Sequence, residues 1–181
     1  MDLTEKTLES KTIFEGKILT VQLDKARLPD GSVAGREVCR HPGGVAVLPL
    51  EEDGTVSLVR QYRYPFHREI LELPAGKLDR GEDHRPAAAR ELGEETGLEA
   101  GELLYLGALY ASPGFCDEVL HMYLGRKLKQ SAAHPDEDEF LDVVKMPLEE
   151  LVERVMSGEI SDAKTVALTL KARLFLEREQ K

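Results

Sequence analysis

Three glutamates could perform chemistry together in the segment GKLDRGEDHRPAAARELGEETGL, residues 76–98. Glu91, Glu94 and Glu95 are spaced i, i+3 and i+4, so a helix would place their carboxylates on one face. Each like-charged pair at this spacing costs roughly 0.2–0.5 kcal/mol on an exposed helix. A hard divalent cation such as Mg²⁺ offsets that repulsion and can also be shared with substrate phosphates. The spacing therefore indicates metal-assisted hydrolysis of a diphosphate, with a solvated acidic helix face as the alternative.

Local signals predict the helix that these glutamates need. It should run from Glu82 to about Gly97, because Asp83 can cap its start and Pro86 is tolerated in the first turn. An alanine-rich stretch follows, and Gly97 supplies a residue type that ends helices. The carboxylates would then lie near the end of the helix.

The remainder of the chain is predicted to combine strands and helices in an α+β fold. Pro29-Asp30-Gly31 indicates a hairpin turn, and Glu51-Glu52-Asp53-Gly54 is expected to join two apolar runs as a second hairpin. Further strands are predicted at LLYLGALYA, EVLHMYLG and FLDVVKM, followed by two amphipathic helices, the last at about 162–177.

Composition restricts the classes of protein to which the chain can belong. Its 181 residues, 41% hydrophobic and 32% charged, suit one structural unit with a buried core. The formal net charge of −10 disfavours nucleic acid as a ligand. No apolar run is long enough for a membrane span and the start lacks a signal-peptide pattern, so a cytoplasmic location is expected. Cys39 and Cys116 are expected to be free thiols.

The segment around the three glutamates resembles the Nudix box at every fixed position: Gly, five residues, Glu, seven residues, Arg-Glu, an aliphatic residue, any residue, Glu-Glu, any residue, Gly and an aliphatic residue. The resemblance implies a mixed β-sheet flanked by helices, an α/β/α sandwich, with an N-terminal antiparallel β extension. It implies a metal site formed by Glu91, Glu94, Glu95 and the carbonyl of Ala75. Structural support of the box would come from Gly76, Glu82, Arg90 and Gly97.

Residues outside the box are similar to those of the ADP-ribose pyrophosphatase subclass. The runs ELPAGKLDRGE and SPGFCDE carry this resemblance, and Pro113 lies fifteen positions after Leu98, where the subclass has a proline. Pro113, Gly114 and Phe115 are therefore expected to shape the substrate pocket, with an ordinary surface turn as the alternative.

The same resemblance nominates further substrate and catalytic residues. Arg36 and Arg63 are expected to contact substrate, since guanidinium groups bind diphosphates well. The resemblance adds Glu72 as a further residue of the substrate pocket. Glu139 is the first choice for the residue that positions or deprotonates water, and Glu137 the second. Ordinary surface arginines and a solvated acidic loop are the alternatives.

The resemblance also implies an organisation and an activity. Residues 1–40 would form N-terminal strands that exchange between subunits of a homodimer, and residues 41–181 the Nudix hydrolase domain. The expected reaction is Mg²⁺-dependent hydrolysis of a nucleoside diphosphate sugar, ADP-ribose first, with Mn²⁺ as a substitute metal. Alternatives are GDP-mannose, dinucleoside polyphosphates or oxidised nucleotides as substrates, or a sensor that binds ADP-ribose without cutting it.

Overall fold

A computed structural model describes residues 1–131 and 140–179. These residues form two compact units. The N-terminal unit comprises Met1–Gly43 and Tyr110–Val119, and the other described residues form the core unit.

The N-terminal unit contains a three-stranded antiparallel sheet in the order β1-β2-β3. Its strands are Lys6–Glu15 (β1), Thr20–Arg27 (β2) and Val33–Arg40 (β3). The amide of Gly31 donates to the carbonyl of Leu28 at 2.9 Å, and Gly31 has a φ of 86°, which glycine adopts without a steric penalty. The hairpin predicted at this turn is confirmed.

The core unit combines two sheets with three helices. The mixed sheet has the order β7-β4-β9-β8, in which β4 pairs parallel to β9 and antiparallel to β7. The second sheet is antiparallel, in the order β10-β5-β6. The strands are Gly44–Pro49 (β4), Thr55–Arg63 (β5), Arg68–Glu72 (β6), Ala75–Lys77 (β7), Leu98–Tyr110 (β8), Val119–Gln130 (β9) and Leu141–Pro147 (β10), and the helices are His84–Thr96 (α1), Leu148–Met156 (α2) and Ala163–Glu179 (α3).

Strand β4 lies at the centre of the core unit, and all six of its residues are buried. Alternate side chains of a strand point to opposite faces of the sheet, so β4 contributes to two apolar clusters. Val45 and Val47 belong to the cluster that includes Leu92 of α1. Ala46 and Leu48 belong to the cluster that contains apolar residues of α2 and α3, namely Leu148, Leu151, Val155, Leu168 and Ala172. Helices on both faces of this strand agree with the expected sandwich.

The second predicted hairpin is wrong, although its turn forms. The amide of Glu51 donates to Thr55 at 2.8 Å and that of Gly54 to Glu51 at 3.1 Å, but only the bridge between Leu50 and Val56 joins the flanking runs. Strand β4 enters the mixed sheet and β5 the antiparallel one. The physical reason is that each strand already has both edges paired, β4 with β7 and β9, and β5 with β6 and β10.

The predicted helices are confirmed with small shifts in their bounds. Asp83 occupies the N-cap position of α1, but its side chain makes no capping hydrogen bond. Gly97 ends the helix with a φ of 66°, its amide donating to the carbonyl of Gly93 at 2.9 Å. At the start of α3, the carboxylate of Asp162 accepts hydrogen bonds from the amide and hydroxyl of Thr165 at 3.0 and 2.6 Å. In residues 1–131 and 140–179, no helix has the length and apolar character needed to cross a bilayer.

Candidate active site

Gly76 allows the first predicted metal ligand to pack against the backbone of β7. A methyl group added at Gly76 would overlap the carboxylate of Glu91, which is 8% exposed. Any side chain at this position would displace that carboxylate. The glycine of the box is thus required by close packing between α1 and β7.

Arg90 forms the centre of an ionic cluster with three carboxylates. Its guanidinium donates to Glu82 at 3.1 and 2.9 Å, to Glu91 at 2.9 Å and to Glu94 at 2.9 Å. The carboxylate of Glu82 also accepts the amide of Asp79 at 2.9 Å, which ties the loop before α1 to the helix. We call Glu82, Arg90, Glu91 and Glu94 the Arg90 cluster. In it, one guanidinium offsets part of the repulsion among three carboxylates.

Electrostatics in the Arg90 cluster favour the charged forms of Glu82 and Arg90. The pKa of Glu82 lies below its ordinary value, chiefly because Arg90 donates hydrogen bonds to it and then because the Asp79 amide does. The pKa of Arg90 is raised, with the hydrogen bond to Glu82 as the largest cause. Sequence analysis assigned Arg90 and Glu82 to structural support of the box. It missed that Arg90 also contacts two predicted metal ligands.

Glu95, the third predicted metal ligand on α1, is buried, with 2% of its surface exposed. Its carboxylate accepts a hydrogen bond from the amide of Ala75 at 2.9 Å. Ala75 lies in β7 and pairs with Ala46 of β4. The predicted ligands Glu95 and Ala75 are therefore joined directly, by the backbone amide of Ala75.

The donor set fits a hard divalent cation by its chemistry. Three carboxylates and a backbone carbonyl offer only oxygen atoms, which Mg²⁺ and Mn²⁺ accept. Across the part of the chain that the structure describes, no three His, Cys, Asp or Glu side chains are gathered as a metal would hold them. Two of the three carboxylates, those of Glu91 and Glu94, instead contact Arg90.

Glu72 is the centre of a second ionic cluster, buried at the end of β6. It is 2% exposed and accepts hydrogen bonds from Arg63 at 2.7 and 2.8 Å and a further one from Lys164. Lys164 also contacts Asp162 at 3.0 Å. We call Arg63, Glu72, Asp162 and Lys164 the Glu72 cluster. Sequence analysis predicted Arg63 and Glu72 as site residues but missed Asp162 and Lys164.

The charges of the Glu72 cluster stabilise one another despite burial. Burial alone would raise the pKa of Glu72, but the hydrogen bonds from Arg63 and the charge of Lys164 outweigh it and lower the pKa. The pKa of Arg63 is raised mainly by its hydrogen bond to Glu72, against burial, and the charge of Glu95 contributes. Arg63 therefore lies within the electrostatic field of a predicted metal ligand.

The predicted substrate residue Arg36 lies in the N-terminal unit, on β3. Its guanidinium donates to Glu5 at 2.9 and 2.6 Å and to the carbonyl of Gly35 at 2.9 Å. The hydrogen bond and charge of Glu5 raise the pKa of Arg36. Within this unit, Arg36 joins the segment before β1 to β3.

The predicted turn at Ser112 is also in the N-terminal unit. The amides of Phe115 and Cys116 donate to the carbonyl of Ser112 at 3.2 and 2.9 Å, and Phe115 is 60% exposed. Pro113, Gly114 and Phe115 line a cavity of about 330 Å³ together with Val38 and Tyr110. The turn and an adjoining cavity are thus present in the region that the resemblance assigned to substrate.

The two residues nominated as catalytic base, Glu139 and Glu137, lie outside the described residues. The strand predicted immediately after them is confirmed as β10, which pairs antiparallel with β5. Strand β10 begins at Leu141, and Phe140 before it is 86% exposed.

Sequence analysis missed an aromatic cluster at the start of α1. The ring of His84 stacks on that of His121 at 3.9 Å between centroids, and Tyr105 contacts His121 Nδ1 at 3.0 Å. Tyr123 contacts His84 Nδ1. Burial lowers the pKa of His121, and the neighbouring His84 adds to this effect. The i, i+2 spacing of His121 and Tyr123 on β9 was the one signal for a shared face.

Family models match most of the chain. A model of the NUDIX domain matches residues 40–168. A model described as the nucleoside diphosphate sugar hydrolase N-terminal domain matches residues 5–44. The two matches meet where the N-terminal sheet ends and β4 begins.

Similar proteins support the same grouping. The chain is 43% identical to the ADP-ribose pyrophosphatase of Bacillus subtilis (strain 168), over 90% of this chain and 89% of that protein. It is also 43% identical to the methanol dehydrogenase activator of Bacillus methanolicus, with the same coverage. A crystal structure of an ADP compounds hydrolase superposes with a TM-score of 0.86 at 24% identity, covering 99% of this chain and 98% of that one. That last likeness shows the fold.

Proposed function

Since the chain belongs to the Nudix family and is a pyrophosphohydrolase of that family, we propose that it hydrolyses the diphosphate bond of ADP-ribose to give AMP and ribose 5-phosphate, with Mg²⁺ as cofactor. The observation that carries this proposal is the pairing of Glu95 with the Ala75 backbone beside Glu91 and its neighbour Glu94 on α1. The choice of ADP-ribose as the substrate follows the relative named ADP-ribose pyrophosphatase.

In this proposal, Glu91, Glu94, Glu95 and the carbonyl of Ala75 hold the metal, and Mn²⁺ can replace Mg²⁺. The bound metal supplies positive charge that polarises the diphosphate and lowers the pKa of water. Arg90 keeps Glu91 and Glu94 on the same side of α1 through its hydrogen bonds at 2.9 Å. The protein thereby holds the carboxylates together before substrate arrives.

The residues nominated as substrate contacts each have a proposed role. Arg63 donates Nε and Nη2 to Glu72, which fixes the plane of its guanidinium. We assign the remaining nitrogen, Nη1, to the diphosphate. Arg36 and the turn Pro113, Gly114 and Phe115 would contact the nucleoside or the sugar, where the cavity beside the turn offers space.

Water activation is assigned to Glu139 first and to Glu137 second. A carboxylate is an adequate proton acceptor when metal binding has lowered the pKa of the water. Replacing each by glutamine separately tests the order: the residue whose loss lowers kcat with KM kept is the base.

We also propose a cytoplasmic homodimer in which the strands of residues 1–40 exchange between subunits, beside the hydrolase domain of residues 41–181. All ten residues of β1 are exposed. Large apolar side chains on this sheet and its first turn are exposed as well, namely Leu8, Ile13, Phe14, Ile18, Leu23 and Val33. Light scattering should give twice the chain mass for the natural sequence. A chain mass unchanged at high concentration would contradict the dimer.

A substrate panel tests the activity against its alternatives. Initial rates with Mg²⁺ would be compared for ADP-ribose, GDP-mannose, a dinucleoside polyphosphate and an oxidised nucleotide, with products identified by mass spectrometry. We expect ADP-ribose to give the highest kcat/KM. A higher kcat/KM for another substrate would make that compound the proposed substrate, with the family unchanged.

Two non-hydrolytic alternatives each predict a different experimental result. Binding of ADP-ribose without any product would indicate a sensor. The relative named methanol dehydrogenase activator raises the alternative of action on another enzyme. Stimulation of a methanol dehydrogenase by a Glu95→Gln variant that has lost hydrolysis would favour that role.

A further inference from the structure

Two cysteines distant in sequence are neighbours in the N-terminal unit. Cys39 on β3 and Cys116 after the Ser112 turn form an isolated parallel bridge. The amide of Cys39 donates to the carbonyl of Phe115 at 2.7 Å, and the amide of Asp117 donates to the carbonyl of Cys39 at 3.1 Å. Residues paired directly in this way project their side chains on the same side of the backbone.

The bridge places the two cysteines directly opposite each other on neighbouring backbone segments. Cys39 and Cys116 are both partly buried, and both are free thiols. Bridged strands lie about 4.8 Å apart. Disulfides span Cα separations of about 4.4–6.8 Å. A covalent bond between these sulfurs therefore needs no large movement of the backbone.

We propose that Cys39 and Cys116 are a reversible redox modification site, at which a disulfide ties the Ser112 turn to β3. The oxidant is a low-molecular-weight disulfide such as oxidised glutathione. One cysteine thiolate attacks it, forming a mixed disulfide and releasing one small thiol. The second cysteine then attacks the protein sulfur of that mixed disulfide and releases the second small thiol. The two cysteines lose two electrons, the oxidant gains them, and the cysteine protons leave on the two released thiols.

Neighbouring contacts hold the two cysteines in register. The carboxylate of Asp117 accepts from the guanidinium of Arg40 at 3.0 Å and from the amide of His41 at 2.8 Å. These contacts anchor the residue next to Cys116 to the residues that follow Cys39. Because the second thiol is already in place, closure of the mixed disulfide is favoured over its attack by a further small thiol.

The surroundings also determine the speed of the first step. The pKa of Cys39 is raised by burial first and then by the contact with Cys116, with Asp117 and Glu118 adding negative charge. Little of this thiol is thiolate at neutral pH, so the first attack is slow. The pair should remain reduced under reducing conditions and close under sustained oxidation.

A disulfide here would affect the cavity beside the turn, whose lining includes Cys116, Pro113 and Phe115. If the cavity holds part of the substrate, which rests on the proposed function, oxidation changes KM severalfold and leaves kcat within about twofold. The catalytic carboxylates of α1 are not altered by the modification.

Intact-mass spectrometry of the full chain tests the site. After incubation with oxidised glutathione, the natural sequence should lose the mass of two hydrogens and carry no glutathione, and dithiothreitol should reverse the change. The matched variants Cys39→Ser and Cys116→Ser should each gain one glutathione, because neither can close the disulfide. An unchanged mass for the natural sequence, or two glutathiones on it, would overturn the proposal.

Rates with ADP-ribose, measured on the same samples, separate the two proposals. If the disulfide forms but the reduced protein gives no product, the proposed function fails and the modification site stands. If the reduced protein is active but no disulfide forms, the modification site fails and the function stands. Equal KM values for active reduced and oxidised protein would remove the link to the substrate cavity.

Discussion

The Arg90 cluster and the Glu72 cluster differ in charge balance. In the Arg90 cluster, three carboxylates share one guanidinium. In the Glu72 cluster, the carboxylates of Glu72 and Asp162 are matched by Arg63 and Lys164. A cluster with equal numbers of positive and negative groups satisfies its own members, whereas a surplus of carboxylates favours binding of a further cation. This difference in charge supports the proposal that the box binds the metal, and we expect the Glu72 cluster to maintain the local structure instead.

Removing a carboxylate charge beside the Arg90 cluster should have the largest effect. Glu95→Gln keeps an oxygen that can accept the Ala75 amide but loses the charge that would bind metal. We expect kcat for ADP-ribose to fall by about 10³-fold or more with the circular dichroism spectrum unchanged. Glu99→Gln, an exposed glutamate just beyond α1, is the control and should keep its rate. Near-normal turnover of Glu95→Gln would contradict the proposal that the carboxylates of α1 bind the metal.

Breaking the balanced cluster should mainly lower stability. Glu72→Gln leaves Arg63 and Lys164 beside a buried neutral group, so we expect the free energy of unfolding to fall by about 3 kcal/mol in a urea titration, with or without Mg²⁺. Glu69→Gln, an exposed residue of the same strand, should change it by less than about 0.5 kcal/mol. A Glu72→Gln variant as stable as the natural sequence would mean that the Glu72 cluster does not stabilise the fold.

Removing the guanidinium of the unbalanced cluster should give a loss that metal repairs. Arg90→Gln leaves Glu82, Glu91 and Glu94 to repel one another, and we expect about 2 kcal/mol less stability in chelator. Mg²⁺ should raise the Tm of this variant more than that of the natural sequence. The control is Arg85→Gln, an exposed arginine of the same helix. Equal Mg²⁺-induced Tm shifts in Arg90→Gln and Arg85→Gln would contradict the proposed difference between the two clusters.

Acid should weaken the balanced cluster in a defined direction. The folded pKa of Glu72 lies below its ordinary value of 4.5, so its contribution to stability is complete above that pH and is lost as the pH falls through the folded pKa. The stability difference between the natural sequence and Glu72→Gln should therefore be constant near neutrality and shrink below about pH 4.5. Urea titrations at several pH values measure it. A difference that grows on acidification would contradict the sign of the shift.

The smallest expected effect comes from a substitution in α1 that changes the stability of the helix without changing its charge. Gly93 lies inside α1, and a methyl group there would meet only the carbonyl oxygen of Leu98, at 4.0 Å. Gly93→Ala should therefore raise the free energy of unfolding by about 0.5–1 kcal/mol, because alanine favours helix. The Mg²⁺ concentration for half-maximal rate should not change. A lower stability would show that the helix cannot accept the side chain.

Sequence reasoning succeeded where the signal was local. Glu91, Glu94 and Glu95, together with the flanking residues Asp83 and Gly97, lie in one short segment, so the bounds of α1 could be predicted closely. The turn at Gly31 was predicted for the same reason.

Sequence reasoning failed where a strand or side chain pairs with a segment that is distant in the sequence. The Asp53-Gly54 signal gave a turn, but the competing strands β7 and β9 determine what β4 pairs with. The contact of Lys164 with Glu72 joins α3 to β6, and no local pattern encodes it. The approach of Cys39 to Cys116 likewise depends on the Ser112 turn folding back onto β3.

Metal binding by the natural sequence and two single variants tests the charge-balance account most directly. The free Mn²⁺ signal in electron paramagnetic resonance would be followed during titration of the natural sequence, Glu95→Gln and Glu72→Gln. We expect the natural sequence and Glu72→Gln to bind Mn²⁺ alike and Glu95→Gln to bind it much more weakly. Loss of binding in Glu72→Gln with retention in Glu95→Gln would contradict the account, because the metal would then belong to the balanced cluster.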